Sequence, residues 1–191
     1  MKNPFKKFDN WFTYAKKKCT EDHTAFALAT IDSRNQPHCR MVLLKKVKKD
    51  GFIFFTNLNS NKGKQFLKNN KLAMCFYWHS IDRQIRIIGK GTIIKNKQSD
   101  EYFSTRLRGS QIGAWASNQS TRLKSRDQLV EKIDFYKQKF HGKKVPRPDY
   151  WQGIKIVPSE FEFWKQGKYR LHDRRLFYLE SNSWKVRKLS P

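Results

Sequence analysis

Apolar residues recur at helical spacing near the start of the chain and then mostly in short runs. Phe5, Phe8, Trp11 and Phe12 predict an amphipathic N-terminal helix, because residues three and four apart share one helix face. The run Ala25–Ile31 predicts a buried strand that a polar turn ends. Further strands are expected at 40–45, 52–56, 72–78, 84–94, 160–164, 175–179 and 183–187.

Helical patterns and glycines divide the remaining chain. Helices are expected over 61–69, 99–106 and 126–140. Lys48-Lys-Asp-Gly51 predicts a hairpin turn with Gly51 available for positive φ, and Gly89 and Gly91 inside a strand predict a bulge. At least seven strands joined mostly by tight turns predict a mainly β fold with peripheral helices, an antiparallel barrel. We expect one domain over 1–191, with a helical segment over 1–20.

The composition predicts a folded and strongly basic domain. Its 41 Lys and Arg residues against 16 Asp and Glu give a formal net charge of +25 over 191 residues. A mean hydropathy of −0.84 is typical of disordered chains, but the 15% aromatic content is not, so we expect a folded domain. The lysines are scattered, apart from a triplet at 16–18, which favours a solvated surface. A nucleic-acid-binding surface stays open as a less favoured reading.

Several classes of protein and site lack their signatures here. No apolar run reaches the roughly 18 residues of a membrane span, and no signal core is present, so no membrane partner is expected. Cys19, Cys39 and Cys75 match neither a disulfide framework nor a Cys-x-x-Cys site, which favours a reducing, cytoplasmic location. The five histidines lack metal-ligand spacing, so no metal is expected. A Rossmann loop, a P-loop and a nucleophile elbow are excluded.

Cationic and hydroxyl side chains occur in two sets beside the predicted elements. The first set flanks two predicted strands, with Arg40 opening and Lys45 closing one of them: Arg40, Lys45, Thr56, Ser60 and Lys62. The second set recurs every four residues: Tyr102, Arg106 and Ser110. A helix through Arg106 would place the second set near one face. Any one of these residues alone is more often an ordinary polar surface residue, but two sets together suit two phosphorylated ligands or one large one.

Three segments resemble the pyridoxine/pyridoxamine 5′-phosphate oxidase family. They are Arg40-Met-Val-Leu-Leu-Lys45, Arg108-Gly-Ser-Gln-Ile-Gly-Ala-Trp-Ala-Ser-Asn-Gln-Ser120 and Trp164-Lys-Gln-Gly-Lys-Tyr-Arg-Leu-His-Asp-Arg174. The resemblance runs in order from about Phe8 to Pro191, with the last motif in the C-terminal strands of 159–191. It implies an FMN-binding split barrel and a homodimer with the flavin at the subunit interface. It also implies oxidation of pyridoxine or pyridoxamine 5′-phosphate to pyridoxal 5′-phosphate, with O₂ reduced to H₂O₂.

The resemblance also implies roles for individual residues. The FMN site would comprise, partly from the second subunit, Arg40, Met41, Val42, Leu43, Leu44, Lys45, Phe55, Thr56, Lys62, Gln84, Gln119, Ser120, Trp164 and Arg174. The substrate phosphate would be bound by Lys45, Tyr102, Arg106 and Ser110. Arg170 and His172 would be the catalytic residues, over the pyridine ring of the substrate. Asp22 matches an acidic residue near the family's substrate site, although an Asp before a strand is more often a turn residue.

The chain departs from the family pattern in the FMN site. Asn61 stands where Arg usually precedes the phosphate-binding lysine, and Phe55 stands where Tyr is common. Loss of one charge-assisted contact costs about 1.5–3 kcal/mol, so weaker FMN retention is expected. The chain also begins late relative to longer members, so a segment that can cover the substrate is expected to be absent.

Two alternatives stay open beside this function. Another split-barrel flavoprotein, such as a flavin reductase, would leave the Tyr102, Arg106 and Ser110 set and the pair Arg170 and His172 without a purpose. A basic nucleic-acid-binding barrel would show binding that falls steeply with salt.

Overall fold

The computed structural model describes residues 3–191. Its helices are α1 (Pro4–Lys18), α2 (Asn61–Lys68), α3 (Asn96–Ser104), α4 (Arg108–Ala116) and α5 (Arg126–Lys139). Its strands are β1 (Ala25–Ile31), β2 (Pro37–Leu43), β3 (Lys46–Lys48), β4 (Gly51–Asn57), β5 (Lys71–Trp78), β6 (Arg83–Ile93), β7 (Trp151–Lys165), β8 (Asp173–Glu180) and β9 (Ser183–Leu189). Within the described residues, no helix is both long and apolar enough to cross a membrane.

One antiparallel sheet contains these strands, and it forks at β7. The main order is β2-β1-β5-β6-β7-β4-β3, and β8 pairs with β7 and β9. On one edge of β7, the first residues pair with β4 and the last residues pair with β8. On the other edge, β6 pairs with most of the strand. The predicted mainly β, antiparallel architecture with peripheral helices is therefore confirmed.

Aromatic rings of α1 close one side of the sheet. Asn3 caps α1 with its side chain, and Pro4 occupies the first turn, where a missing N–H costs nothing. Phe8 is fully buried, with its ring centroid 4.6 Å from that of Phe52 and 5.6 Å from that of Phe76. Burial of such a side chain contributes about 1.5–3 kcal/mol, so α1 is part of the main core. The N-terminal helix predicted from the aromatic spacing is confirmed.

A second, smaller core lies among α3, α4, α5 and the start of β7. Its buried residues are Phe103, Ile112, Phe140, Val145 and Trp151. Partly buried aromatic residues, including Phe55 and Tyr102, pack against it. This core joins the helices to the sheet edge at β4 and β7, and it supports one wall of the candidate site.

The continuous helix predicted through Arg106 is wrong. α3 ends at Ser104 and α4 begins at Arg108, so Tyr102 and Ser110 lie on different helices. The hydroxyls of Ser104 and Thr105 donate to carbonyls in the last turn of α3, in competition with further helix formation. The sequence reading also missed α4, whose two internal glycines lower its helix propensity and whose start has no side-chain cap.

The predicted bounds of two strands also need correction. β2 spans Pro37–Leu43, so Arg40 lies in its middle, and Lys45 lies beyond its end instead of closing it. β7 begins nine residues before the predicted 160–164, because a register shift lets the strand continue through Pro158. That shift lies at Gly89, where a Cβ would collide with the backbone at Val157, so the predicted bulge is confirmed.

The hairpin predicted at 48–51 is present, but its glycine acts differently from the expectation. Lys48 pairs with Gly51 across the turn. Gly51 does not adopt a positive φ, and a Cβ there would collide with the carbonyl oxygen of Ile156. The turn conformation would therefore accept other residues at position 51. The glycine is required because β7 approaches it closely.

Candidate active site

A pocket of about 380 Å³ lies beside β2, β4 and the helices of the second core. This volume falls in the range of small-molecule sites. The pocket brings together a large part of the predicted residues: Met41, Val42, Leu43, Lys45, Phe55, Thr56, Lys62, Tyr102, Arg106 and Gln119. Members of both predicted sets therefore share one cavity, although they come from distant parts of the chain.

Arg40 lies on β2 and is held by neutral oxygen atoms. Its Nη1 donates to Oγ1 of Thr30 at 2.5 Å and to the Leu28 carbonyl at 3.1 Å. Its Nη2 donates to Oε1 of Gln65 at 3.2 Å. Burial lowers the pKa of Arg40 below its ordinary value. Because these partners carry no charge, they orient the guanidinium without neutralising it.

Lys62 stands in the first turn of α2, which Ser60 caps by accepting from the N–H of Gly63. The Nζ of Lys62 donates to Oε1 of Gln119 at 3.0 Å and to Oγ of Ser60 at 3.3 Å. Burial and then the charge of Arg40 lower the pKa of Lys62. Arg40 and Lys62 therefore lie close enough for their charges to oppose each other, and a bound anion would stabilise both.

Arg106 follows α3 and faces an aromatic ring. Its guanidinium carbon lies 4.8 Å from the ring centroid of Trp151, and burial lowers its pKa. Tyr102 stacks on Phe55 with 4.1 Å between ring centroids, and Phe55 stacks on Trp151 at 5.0 Å. Burial raises the pKa of Tyr102, so its hydroxyl keeps its proton and can donate. Arg106 and Tyr102, which are both predicted to bind the substrate phosphate, therefore pack on one aromatic stack.

Two buried polar atoms of the pocket lack a hydrogen-bond partner within residues 3–191. They are Oγ1 of Thr56 and Nη1 of Arg106. A buried polar atom left unpaired costs about 1–3 kcal/mol, so both atoms point to a polar ligand. The ion pairs of the described chain involve other cations than Arg40, Lys45, Lys62 and Arg106. These cations and the aromatic wall fit a phosphorylated ring compound such as FMN.

The other predicted residues form a second group on β6, β7 and β8. Gln84 pairs with Trp164, and Trp164 pairs with Arg174. The ring centroids of Trp164 and His172 are 4.6 Å apart. This group, with Arg170, does not line the pocket of its own chain.

The loop before β8 holds His172 and Arg170 in a defined geometry. The N–H of Gly167 donates to Nδ1 of His172 at 3.3 Å, which leaves Nε2 of the neutral ring as the protonated nitrogen. Tyr169 and Arg170 both adopt positive φ values, of 55° and 64°. Non-glycine residues in this region store strain and occur at functional sites. The guanidinium of Arg170 is exposed at the tip of this loop.

Glu162, which the sequence reading did not single out, anchors the second group. The carboxylate is buried, with 4% exposure, and its Oε1 accepts from Nε of Arg174 at 2.8 Å. Its Oε2 accepts from Nη2 of Arg86 at 2.5 Å. Arg174 also donates to the Ser190 carbonyl at 2.9 Å. The alternation in 160–164 was the available signal, because it places Glu162 and Trp164 on one sheet face.

The pocket edge and the second group lie on the same face of the sheet. Directly paired residues of antiparallel strands share a face, and one such row runs from Met41 through Ala27, Cys75 and Arg86 to Glu162. Large apolar side chains are exposed on this face, among them Met41 (64%), Leu43, Tyr77 and Ile88. An apolar face of this kind is typical of a protein–protein contact.

Besides Arg40 and the second group, four further candidate residues lie outside the pocket lining for local reasons. Leu44 has its side chain in the main core, so only its backbone is available to a ligand. Ser110 and Ser120 are exposed, on α4 and after it. Asp22 accepts from the N–H and the hydroxyl of Thr24, as a turn residue does. Its lowered pKa comes mainly from these bonds and only slightly from Lys45.

Several lining residues were missed in the sequence reading. They are Asn57, Gly113, Ala114, Ser117 and Trp151. Three of these lie on α4 or at its end, and the sequence reading did not predict this helix. The available signal for Trp151 was a large ring at the start of an apolar run. Asn61 is exposed and lines a different cavity, beside Asp32 and Arg34, so its effect on FMN stays a prediction.

Two family models match the chain. The model described as pyridoxamine 5′-phosphate oxidase matches residues 12–140, and the pyridoxine 5′-phosphate oxidase C-terminal dimerisation region matches 151–191. A pyridoxine/pyridoxamine 5′-phosphate oxidase of Zymomonas mobilis is 46% identical over 189 residues, covering 99% of this chain and 98% of that protein. The oxidase of Pelagibacter ubique is 46% identical over 191 residues, covering 99% and 92%.

Solved structures agree with the fold. PhzG from Burkholderia lata, in complex with tetrahydrophenazine-1-carboxylic acid, superposes with a TM-score of 0.94 at 27% identity, covering 100% of this chain and 94% of that one. An FMN-binding protein of Nostoc punctiforme related to pyridoxamine 5′-phosphate oxidase has a TM-score of 0.77 at 14% identity, covering 95% and 96%, which supports the fold alone. The predicted split barrel is confirmed. With both family models matched and full-length relatives at 46% identity, the chain belongs to the pyridoxine/pyridoxamine 5′-phosphate oxidase family.

Proposed function

We propose that this protein oxidises pyridoxine or pyridoxamine 5′-phosphate to pyridoxal 5′-phosphate, with FMN as cofactor and O₂ as the electron acceptor that yields H₂O₂. The observation that carries the proposal is the pocket itself. In it, Oγ1 of Thr56 and Nη1 of Arg106, which have no hydrogen-bond partner in residues 3–191, lie among cations that form no ion pair within the same residues. Each ligand of this reaction carries a phosphate, for which arginine and lysine are suitable partners.

Residues around α2 and β2 would hold FMN. Arg40 and Lys62 supply positive charge for its phosphate, and Gln119 keeps Lys62 in place at 3.0 Å. Residues 41–43, Lys45 and Thr56 line the pocket and would face the ring. When bound, FMN supplies the acceptor for a hydride from the substrate carbon.

Residues beside α3 would hold the substrate phosphate. Lys45 and Arg106 supply charge, and Tyr102 supplies a protonated hydroxyl. Ser110 is exposed on α4, the helix that contributes Gly113 and Ala114 to the pocket wall. A charge-assisted hydrogen bond contributes about 1.5–3 kcal/mol, so this set favours phosphorylated over unphosphorylated vitamers.

Arg170 and His172 would orient the substrate ring. The planar guanidinium of Arg170 can stack on a pyridine ring while it supplies charge. The Nε2–H of His172 can donate to a ring substituent, because Nδ1 already accepts from Gly167. Fixing the reacting carbon close to its acceptor, at roughly 3–3.5 Å, is the main contribution that the protein can make.

We propose that these two residues reach the pocket from a second copy of the chain. The C-terminal region belongs to a family dimerisation region, and the second group shares a sheet face with the pocket edge. A twofold axis through this face would bring Trp164, His172 and Arg174 of one copy against the pocket of the other. FMN would then lie at the subunit interface, between Met41–Leu43 and the partner's ring-side residues.

A reducing, cytoplasmic compartment is part of the proposal. Its support is that all three cysteines are free, and that Cys39 is exposed on β2. Oxidising compartments favour paired cysteines instead.

An absorption spectrum of the purified protein followed by an anaerobic titration tests the function. We expect a flavin spectrum that bleaches when pyridoxamine 5′-phosphate is added, and that recovers in air with formation of H₂O₂. A colourless protein that does not bind added FMN would exclude the cofactor. A flavin that is bleached by a reduced nicotinamide nucleotide but by neither phosphorylated vitamer would indicate a flavin reductase instead.

A further inference from the structure

Trp151 contacts the side chains that form the proposed substrate-phosphate site. It is 8% exposed and opens β7. Its ring is stacked on Phe55 with an interplanar angle of 9°, and it is nearly parallel to Tyr102 at a centroid distance of 6.1 Å. The guanidinium of Arg106 lies 4.8 Å from its centroid. One indole therefore supports both the cation and the hydroxyl of this site.

Arg106 packs against aromatic rings, whereas Arg147, a second arginine with a buried side chain, pairs with a carboxylate. Arg147, with 6% side-chain exposure, is paired with Asp100 at 2.6 Å. Arg106 packs on aromatic faces instead, and its Nη1 has no hydrogen-bond partner in the described chain. An aromatic face attracts a guanidinium through its quadrupole and carries no net charge. The ring thus holds Arg106 in place and leaves its charge available to an incoming dianion. A carboxylate partner would neutralise that charge.

The backbone around Trp151 is itself held firmly. Its carbonyl accepts from Nη1 of Arg147 at 2.7 Å, and its N–H donates to the Pro148 carbonyl at 2.9 Å. It pairs with Asn57 at the end of β4. Because Asp100 lies on α3 and pairs with Arg147, this clamp ties the indole to the helix that carries Tyr102. The aromatic support is therefore built on rigid elements.

We propose that Trp151 is a positioning residue for the substrate phosphate, which it serves by holding Arg106 through a cation–π contact and Tyr102 through Phe55. This inference rests on the proposed function for the identity of the substrate. The structure requires only that the ligand of Arg106 be an anion. Trp151 contributes to binding of the phosphorylated substrate, so its loss should raise KM far more than it lowers kcat.

The test compares Trp151→Leu and Trp151→Phe in the FMN-loaded enzyme. We expect Trp151→Leu to raise KM for pyridoxamine 5′-phosphate by about five- to thirtyfold, the range of a partly desolvated cation–π contact. Trp151→Phe keeps an aromatic face and should recover most of this loss. In an Arg106→Gln background, Trp151→Leu should change KM much less than it does in the wild type, because the cation–π contact is already absent and only the support of Tyr102 is lost.

A second readout does not depend on turnover. With the FMN site filled, inorganic phosphate should raise the Tm of the wild-type enzyme, and this rise should be smaller in Trp151→Leu. Trp115→Phe is the matched control, since Trp115 packs in the same core on Tyr136 and Phe140, whereas the cation–π contacts of Arg106 in the described residues are with Phe103 and Trp151. It should leave KM and the phosphate effect unchanged.

Each outcome decides between the two claims. Equal KM values and equal phosphate effects in wild type and Trp151→Leu would overturn the positioning role and leave the proposed function intact. Absence of turnover in a flavin-loaded wild-type enzyme would overturn the function, while the phosphate effect would still report on Trp151. If Trp151→Leu does not retain FMN, the double-mutant cycle is made with Trp151→Phe and Arg106→Gln instead. Additive effects of these two substitutions on KM would contradict the proposed coupling between Trp151 and Arg106.

Discussion

Glu162 and Arg174 form an ion pair, 2.8 Å between Oε1 and Nε, in which the carboxylate is buried and the guanidinium is partly exposed. The same carboxylate accepts from Arg86. It lies on the sheet face that also carries the pocket edge. Two cations and one buried acid thus organise the C-terminal end of the proposed interface.

Glu162→Gln should destabilise the fold, because it removes the charge that both arginines share. The two guanidinium groups reach water, so the expected loss is that of a charged hydrogen bond, about 1.5–3 kcal/mol in the free energy of unfolding. Urea denaturation of the wild type and the variant measures it. Arg86→Gln is the control, since it leaves the pair with Arg174 in place and should cost less. Equal stability of wild type and Glu162→Gln would contradict the role assigned to the pair.

Thr56→Val should separate ligand binding from stability. The hydroxyl of Thr56 is buried and unpaired in the described chain, so its removal should leave the FMN-free protein as stable as before, or slightly more stable. FMN binding should weaken by about 0.5–1.5 kcal/mol, as measured by quenching of flavin fluorescence. Thr30→Val is the contrasting variant, because Thr30 bonds Arg40 and Gln65, and it should lower stability in the FMN-free protein. Unchanged FMN affinity in Thr56→Val would remove Thr56 from the site.

FMN affinity should fall as the pH is raised from neutrality toward 10.5, the ordinary value for lysine. Burial and the charge of Arg40 lower the pKa of Lys62 in the FMN-free protein, so it loses its proton at a lower pH than a free lysine. Phosphate binds the protonated form, so deprotonation opposes binding. Lys62→Arg keeps its charge over this range and should flatten the dependence, measured as the FMN dissociation constant against pH. The same slope in both proteins would assign the effect to another group.

At a low substrate concentration, activity should rise when two impaired variants are mixed. If Arg106 and Arg170 of one active site come from different subunits, a hybrid dimer of Arg106→Gln and Arg170→Ala contains one site with both arginines intact. After subunit exchange, about one quarter of the wild-type activity is expected, since half of the dimers are hybrid and half of their sites are intact. Each variant alone, carried through the same exchange procedure, is the control. Failure to recover activity in dimers shown to be hybrid would contradict a site shared between subunits.

Patterns between near neighbours in sequence were enough to predict most of the elements. The apolar run Ala25–Ile31, the aromatic spacing in α1 and the hairpin before β4 depend on residues only a few positions apart. Errors occurred where the hydrophobic pattern does not show what ends or extends an element, which is a local side-chain bond in α3 and a contact across the sheet in β7. α3 stops at Ser104 because hydroxyls bond its last carbonyls, and β7 passes through Pro158 because Gly89 allows a register shift.

The chemistry of the site divides in the same way. The motifs at 40–45, 108–120 and 164–174 suffice to indicate which residue types the site uses. The contacts among them depend on tertiary structure: Lys62 meets Gln119 across 57 positions, and Arg106 meets Trp151 across a gap that includes two helices. That Arg40 has neutral partners, and that the Thr56 hydroxyl has no hydrogen-bond partner in the described part of the chain, also follows only from packing.

The sequence by itself determined the family, the strand-rich architecture and the set of cations available for two phosphates, because spacing and residue type are local properties. Tertiary structure alone decided which cations lie together, which of them form no ion pair within the described residues, and that Arg170 and His172 do not line the pocket of their own chain. The physical reason is that charge and burial depend on distances in space, and folding brings together residues whose separation along the chain carries no signal.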